Sequence, residues 1–400
     1  MRDSSRSVLM VLEAKFPVRG GGGAESQVLS LGKHLLDRGV HVEVVVPMAS
    51  GGPQIAQEIV EGLNVTRITY PKVPLIGGVV MLTKLAWLMF SRRRQYAFVH
   101  AHIANNMAAV CAVVAPLLGK RMLVKLTGMQ EMIGGILDPQ PNFITKIKKF
   151  AMRRATLLQA TSMRIRQMLI DSGFDPARVV LLPNGVDVAR FTTAPRDEAL
   201  RKQLCGDAKF IGVFIGRLSP EKGHDGLLQA WSEAFKGRDD TRLLLVGDGP
   251  LREPLSELAA RLGIGNQVVF AGHAGNVAPF LSVADFGLLT SLSEGLSNAL
   301  LEYMAAGLPV IGSRVSGTED FVVLGTTGWL FEPGSTAELA RCLVEAGAVD
   351  GAVLNEMGQR AQRRIAETAS LEAVTSALIS HYAFDGNTNT NNAEKSAKIT

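Results

Sequence analysis

Short, unbroken apolar runs rich in Val, Ile and Leu alternate with helix-patterned segments, and the whole alternation occurs twice. Val8–Leu12, His41–Val46, Val65–Ile68, Phe98–His100, Met122–Leu126, Leu157–Ala160 and Val179–Leu182 form the first set. Helix-like stretches such as Ala24–Asp37 and Asn106–Leu118 lie between them. Phe210–Gly216, Arg242–Val246, Val268–Ala271, Phe286–Leu289 and Pro309–Gly312 form the second set, with Trp329–Phe331 as a short edge strand. Runs without polar alternation are strands buried on both faces, and strands alternating with helices form parallel sheets. The expectation is therefore an α/β chain of two doubly wound domains. Ligands of such sheets bind at the carboxyl ends of the strands, so a cleft between the domains is the expected site.

At 400 residues, 47% hydrophobic and 20% charged, the chain can bury two such cores. The expected division is 1–190, then 191–364, with a C-terminal helix at about 365–383 returning to the first domain. Pro183–Arg201 is the expected linker. The tail 385–400 is nearly devoid of apolar residues and is expected to be disordered. Three scattered cysteines form neither a disulfide framework nor a metal-ligand spacing and fit a reducing cytoplasm. No secretory signal is visible. The net charge of +5 is modest for a nucleic-acid binder and suits a phosphate-bearing substrate or an acidic membrane surface. Pro74–Phe90 falls short of a membrane span and reads as an amphipathic helix, followed by Arg92, Arg93 and Arg94. With Lys146, Lys148, Lys149, Arg153 and Arg154 it suggests a protein peripheral to the inner face of an anionic membrane; the alternative is a solvated helix face.

Three segments carry chemistry. Gly20–Gly23 follows the first strand and opens a helix, so Gly22 and Gly23 expose amides that suit an anion; a plain flexible turn is the competing reading. The loop is too long, and ends too differently, for a nicotinamide fingerprint. Gly216-Arg217 through Glu221-Lys222-Gly223 places a guanidinium and an ammonium in one turn after a strand, the pair a diphosphate needs; a solvated surface turn is the competing reading. Glu294 precedes, and Glu302 lies within, a helix expected to begin near Leu296 or Ser297. Amides at Leu296, Ser297 and Asn298 would hold phosphate, Glu294 sugar hydroxyls and Glu302 a ribose; a capped helix with a surface glutamate is the competing reading. Glu302 sits in otherwise apolar surroundings, where a carboxylate requires a partner.

These residues resemble the large family 4 of retaining glycosyltransferases with the GT-B fold, two Rossmann-like domains facing across a cleft. Glu294 and Glu302 reproduce the family's E-x7-E. Gly216-Arg217 with Glu221-Lys222-Gly223, Gly247-Asp248-Gly249-Pro250 and Asn184-Gly185-Val186-Asp187 match further motifs, as do Gly21-Gly22 with Glu25 and His100-Ala101-His102. The resemblance runs from about residue 8 to about residue 330. It implies Arg217, Lys222 and Glu294 as catalytic residues, and Gly22, Gly23, Leu296, Ser297, Asn298 and Glu302 beside them at the donor. It implies no metal or other cofactor, a nucleoside-diphosphate sugar as donor, and a glycan or lipid-linked acceptor. One departure stands out: the family's T-x-H-G is Lys125-Leu126-Thr127-Gly128 here, so Thr127 occupies the histidine's place. Thr127 and His102 are the acceptor-side candidates, although a strand-end histidine is more often structural. A nucleotide-sugar epimerase of the same fold and a non-catalytic sugar-nucleotide binder are the competing readings.

Overall fold

The computed structural model describes residues 4–17, 23–50, 56–132, 134–192 and 197–384. Gly22 and the tail 385–400 lie outside them. The first sheet contains β1 (Ser7–Val11), β2 (His41–Ala49), β3 (Gln57–Val60), β4 (Leu63–Tyr70), β5 (Phe98–Ala101), β6 (Arg121–Leu126), β7 (Leu157–Ala160) and β8 (Val179–Leu181), in the order β3-β4-β2-β1-β5-β6-β7-β8. The second contains β9 (Phe210–Ile215), β10 (Thr241–Val246), β11 (Val268–Gly272), β12 (Phe286–Leu289), β13 (Val310–Ser313) and β14 (Gly328–Phe331), in the order β11-β10-β9-β12-β13-β14. Every pairing is parallel except β3 with β4. The doubly wound α/β expectation holds, and the strand runs match to within a few residues. Only β3 was not anticipated: it is short, polar and half-exposed at the sheet edge, so it carries no apolar signal.

Along β1 successive side chains enter different cores. Val8 and Met10 face α1 (Gly23–Asp37), while Leu9 and Val11 face α2 (Ile76–Ser91) and α3 (Asn106–Leu117). This is why the strand reads as one continuous apolar run. α4 (Phe143–Met152) packs beside α3 on that same face. The segment expected to be an amphipathic helix is α2, but apolar residues surround it. Met81, Leu85 and Met89 point into the core, while Ile76, Val79, Trp87 and Phe90 point out.

In the second domain α5 (His224–Phe235) follows β9 and α6 (Asn298–Ala305) follows β12. α7 (Thr336–Ala348) and α8 (Gly351–Thr368) complete its layers. The last helix, α9 (Leu371–Tyr382), packs on α1 of the first domain. Its Tyr382 ring lies 4.6 Å from that of Phe98, and its hydroxyl is 2.8 Å from His100 Nδ1. The chain thus crosses between domains twice, and the crossings are stitched together. The Val186 amide donates to the Ala369 carbonyl and the Leu371 amide to the Val186 carbonyl, both at 2.9 Å. Within the expected linker, Val186 and Phe191 are buried in the second core.

Candidate active site

The carboxyl ends of β9 and β12 bring the two central motifs together. After β9 the chain turns through Pro220–Lys222 to Gly223, which takes φ 68° and starts α5. A side chain at Gly223 would meet the Thr290 carbonyl at 2.4 Å, so the β9 and β12 loops touch backbone to backbone. Hydrogen bonds lock them: Thr290 Oγ1 to the Lys222 carbonyl at 2.8 Å, and the Leu292 amide to the Glu221 carbonyl at 2.9 Å. Across this joint Lys222 Nζ forms an ion pair with Glu294 Oε1, which also accepts from Ser291 Oγ at 3.0 Å. Both side chains are mostly shielded from water, so each charge needs the other when no ligand is bound. Arg217 is exposed at the same strand end. Glu221 accepts from Ser219 Oγ at 2.5 Å, which holds its carboxyl below the usual range.

α6 begins at Asn298, slightly later than expected. Ser297 is its first flanking residue and provides no side-chain cap. The first-turn amides of residues 298–300 consequently have no partner within the helix, and they sit next to Glu294 in the chain. Leu296 is buried in the second core. Glu302 lies just over one turn into α6. Burial pushes its carboxyl up to about 7, against the pull of Arg190.

Residues from the first domain close over these loops. Asn298 Nδ2 donates to the Gly23 carbonyl at 3.1 Å, and its Oδ1 accepts from Gln27 Nε2 at 3.1 Å and Asn184 Nδ2 at 3.0 Å. Gln27 in turn exchanges hydrogen bonds with the backbone of Gly185. Asn298, expected at the donor, therefore commits its side chain to the domain junction. Gly128 and Gly295 meet without side chains: a Cβ on Gly295 would lie 1.8 Å from the Thr127 carbonyl oxygen. Farther along the rim, the Ser162 and Ser316 hydroxyls are 2.6 Å apart, and Arg164 pairs with Glu319 at 2.6 Å.

The acceptor-side candidates are held differently from one another. Thr127 donates its hydroxyl to the carboxylate of Glu131, which also accepts from the amides of Ala104 at 3.2 Å and Gly128 at 2.9 Å. Glu131 thus fixes both strand-end loops that face the second domain. It escaped notice in the sequence because it belongs to no motif. His102 is only 1% exposed and stacks on His100 at 4.0 Å, and burial pushes its pKa well below the ordinary value. It is a neutral core residue that does not open to the cleft. Among the described residues no group of three or more His, Cys, Asp or Glu is placed to hold a metal.

Residues 209–347 match the family described as glycosyl transferases group 1, and residues 21–190 match glycosyltransferase family 4. The chain is 30% identical over 382 residues to 2-deoxystreptamine glucosyltransferase of Streptomyces kanamyceticus, covering 89% of this chain and 97% of that one. The chain belongs to the group 1, family 4 glycosyltransferases. It is also 26% identical over 314 residues to the UDP-Gal:alpha-D-GlcNAc-diphosphoundecaprenol alpha-1,3-galactosyltransferase of Escherichia coli, covering 73% of this chain and 76% of that one. Its fold matches the Anabaena HepE protein crystallised with UDP, with a TM-score of 0.75 and 21% identity over 94% of this chain and 99% of that one. The glycosyltransferase therefore has the GT-B architecture, and its named relatives do not favour an epimerase.

The buried carboxyl of this enzyme makes a measurable demand on stability. In the fold Glu302 keeps its proton up to about pH 7, whereas the unfolded group releases it near 4.5. The ligand-free fold should lose stability as pH rises through that window. Glu302→Gln is expected to melt higher than the parent at pH 8, by up to about 2–3 kcal/mol of stability, and nearly level with it at pH 4.5. A variant-to-parent difference that does not change with pH would contradict the burial argument.

Proposed function

We propose that the enzyme transfers a glycosyl group from a nucleoside-diphosphate sugar to a glycan or lipid-linked acceptor with retention of anomeric configuration. The observation that carries this reading is the Lys222–Glu294 pair beside the uncapped start of α6. Arg217, Lys222 and those amides form a cationic wall on which negative charge can build. When the diphosphate arrives, Lys222 turns from Glu294 to phosphate, and Glu294 is freed to accept from sugar hydroxyls. Glu302, one turn on, accepts from the ribose, and this hydrogen bonding lets its carboxyl ionise. Gly22 and Gly23 are the residues assigned to the phosphates from the first domain in this reading.

The bond from the anomeric carbon to the phosphate oxygen breaks through an oxocarbenium-like state. The acceptor hydroxyl attacks from the face the phosphate leaves, and its proton passes to that phosphate. Glu294 serves as a binder of the sugar rather than a nucleophile, with Ser291 Oγ steadying its carboxylate. No resident metal is required in this scheme, because the charge is met by side chains and amides. A lipid-linked acceptor accords with the diphosphoundecaprenol named for the Escherichia coli relative. Cell-surface polysaccharide or glycolipid synthesis on the cytoplasmic side of the plasma membrane is the corresponding process.

The test is a thermal-shift panel of UDP-, GDP- and ADP-sugars. A ligand at one hundred times its dissociation constant adds about 2.7 kcal/mol, enough to move the melting temperature by several degrees. One nucleotide series is expected to stabilise the parent and to do so less for Lys222→Ala. No shift with any of them would remove the donor assignment.

A further inference from the structure

One face of the first domain is apolar where it meets water. On α2 the exposed residues Ile76, Val79, Thr83, Trp87 and Phe90 recur at i, i+3, i+7, i+11 and i+14, a single stripe along the helix. Met81, Leu85 and Met89 occupy the opposite stripe in the core. α4 repeats the pattern with Phe143, Ile147 and Phe150 at i, i+4 and i+7, and Phe143 is 77% exposed. Between them α3 contains no charged residue and ends in the exposed Leu117. All three helices lie side by side on the same face of the sheet. A contiguous apolar surface of this kind marks an interaction site.

Charge identifies the partner. Residues 71–170 contain fifteen Lys and Arg but only two Asp and Glu, so the remaining 300 residues are net −8 although the chain is net +5. Lys72, Lys84, Arg94, Lys146, Arg153 and Arg154 are exposed around the apolar stripes. Arg93 and Arg154 lie over the rings of Phe90 and Phe150, at 4.4 and 5.2 Å. Apolar side chains ringed by cations match a bilayer with anionic headgroups. Among the described residues no helix is long and apolar enough to cross a membrane. At 16 residues α2 spans about 24 Å, short of the roughly 30 Å hydrocarbon layer.

We propose that α2, α3 and α4 form a docking surface on which the enzyme lies against an anionic phospholipid bilayer. Trp87 and Phe90 of α2 and Phe143, Ile147 and Phe150 of α4 enter the headgroup–acyl boundary, and the flanking Lys and Arg contact phosphates. The consequence for the acceptor, a saccharide presented at the membrane surface, rests on the proposed function; the docking does not.

Trp87 reports on this directly. It is 68% exposed, whereas the other two tryptophans, Trp231 and Trp329, are buried. Vesicles of phosphatidylglycerol and phosphatidylcholine should float the protein and shift its emission to the blue. Vesicles of phosphatidylcholine alone should bind at least tenfold more weakly. The double variant Ile147→Glu/Phe150→Glu leaves Trp87 in place and should lower the partition coefficient at least tenfold, with an unchanged melting temperature and unchanged stabilisation by the sugar nucleotide. Absence of flotation, or flotation indifferent to headgroup charge or to the double variant, would overturn the proposal. So would a dimer in sedimentation velocity that the double variant dissociates, which would assign the face to a second copy. Flotation with no nucleotide-induced stabilisation would leave the docking intact and count against the proposed function.

Discussion

Lys222→Ala should lower kcat by roughly 10²–10³-fold, equivalent to about 2.7–4 kcal/mol of transition-state stabilisation. The ammonium lies at the joint of the β9 and β12 loops, held in place by the Thr290 and Leu292 hydrogen bonds. On the proposed function it needs no reorganisation beyond leaving Glu294, and its charge would serve the departing phosphate more than the neutral sugar. The loss should therefore appear mainly in kcat. Removal also leaves Glu294 half-buried without its cation, which lowers the stability of the ligand-free protein. Lys222→Ala/Glu294→Gln separates the two effects. It should recover the melting temperature while kcat remains low. Recovery of turnover together with stability, or normal turnover in Lys222→Ala, would show that the lysine is structural.

Gly295→Ala should reduce kcat/KM by about 10²-fold while leaving nucleotide binding within a few-fold of the parent. The added methyl would stand 1.8 Å from the Thr127 carbonyl oxygen and 2.7 Å from its carbon, both backbone atoms that cannot rotate away. The first domain must retreat, which carries the acceptor side away from the donor while the β9 and β12 loops remain intact. Misplacement by about 1 Å costs on the order of 10²-fold in rate. Gly128→Ala approaches the same contact from the other side, 2.5 Å from Gly295 Cα, and at φ 131° it adds backbone strain. Small-angle scattering should find both variants more open. A variant of normal compactness and normal kcat/KM would show that the two loops can part without consequence.

The parallel strands and the turns that carry Lys222 and Glu294 were legible in the sequence because each is local. A buried parallel strand is a short apolar run, and Glu294 and Glu302 share one loop and helix. Three features were not legible. β3 is stabilised by pairing with β4 and has no apolar pattern of its own. Asn298 bonds to Gly23, Gln27 and Asn184, more than one hundred positions away, and its type alone suggested only a helix start. For α2, an apolar run broken only by Thr83 and Lys84 gave no indication of which stripe the core would take and which would remain outside. His102 shows the converse. Its motif pointed to the acceptor, but its ring stacks on His100, which is itself bonded to Tyr382 of α9, and it is buried.

That return of α9 sets an order of assembly. The second sheet and its helices are complete once α8 has been made. The first core still lacks Val374, Leu378 and Tyr382, which fill the face of β1 and β5 beside α1. The later-encoded half is therefore a finished body by Thr368, while the earlier-encoded half, with Val8, Met10 and Phe98 incompletely covered, still requires the last residues of α9. The N-terminal half is thus the one that depends on intact C-terminal sequence. Trimming back to Thr368 would unsettle the first domain and leave the second folded.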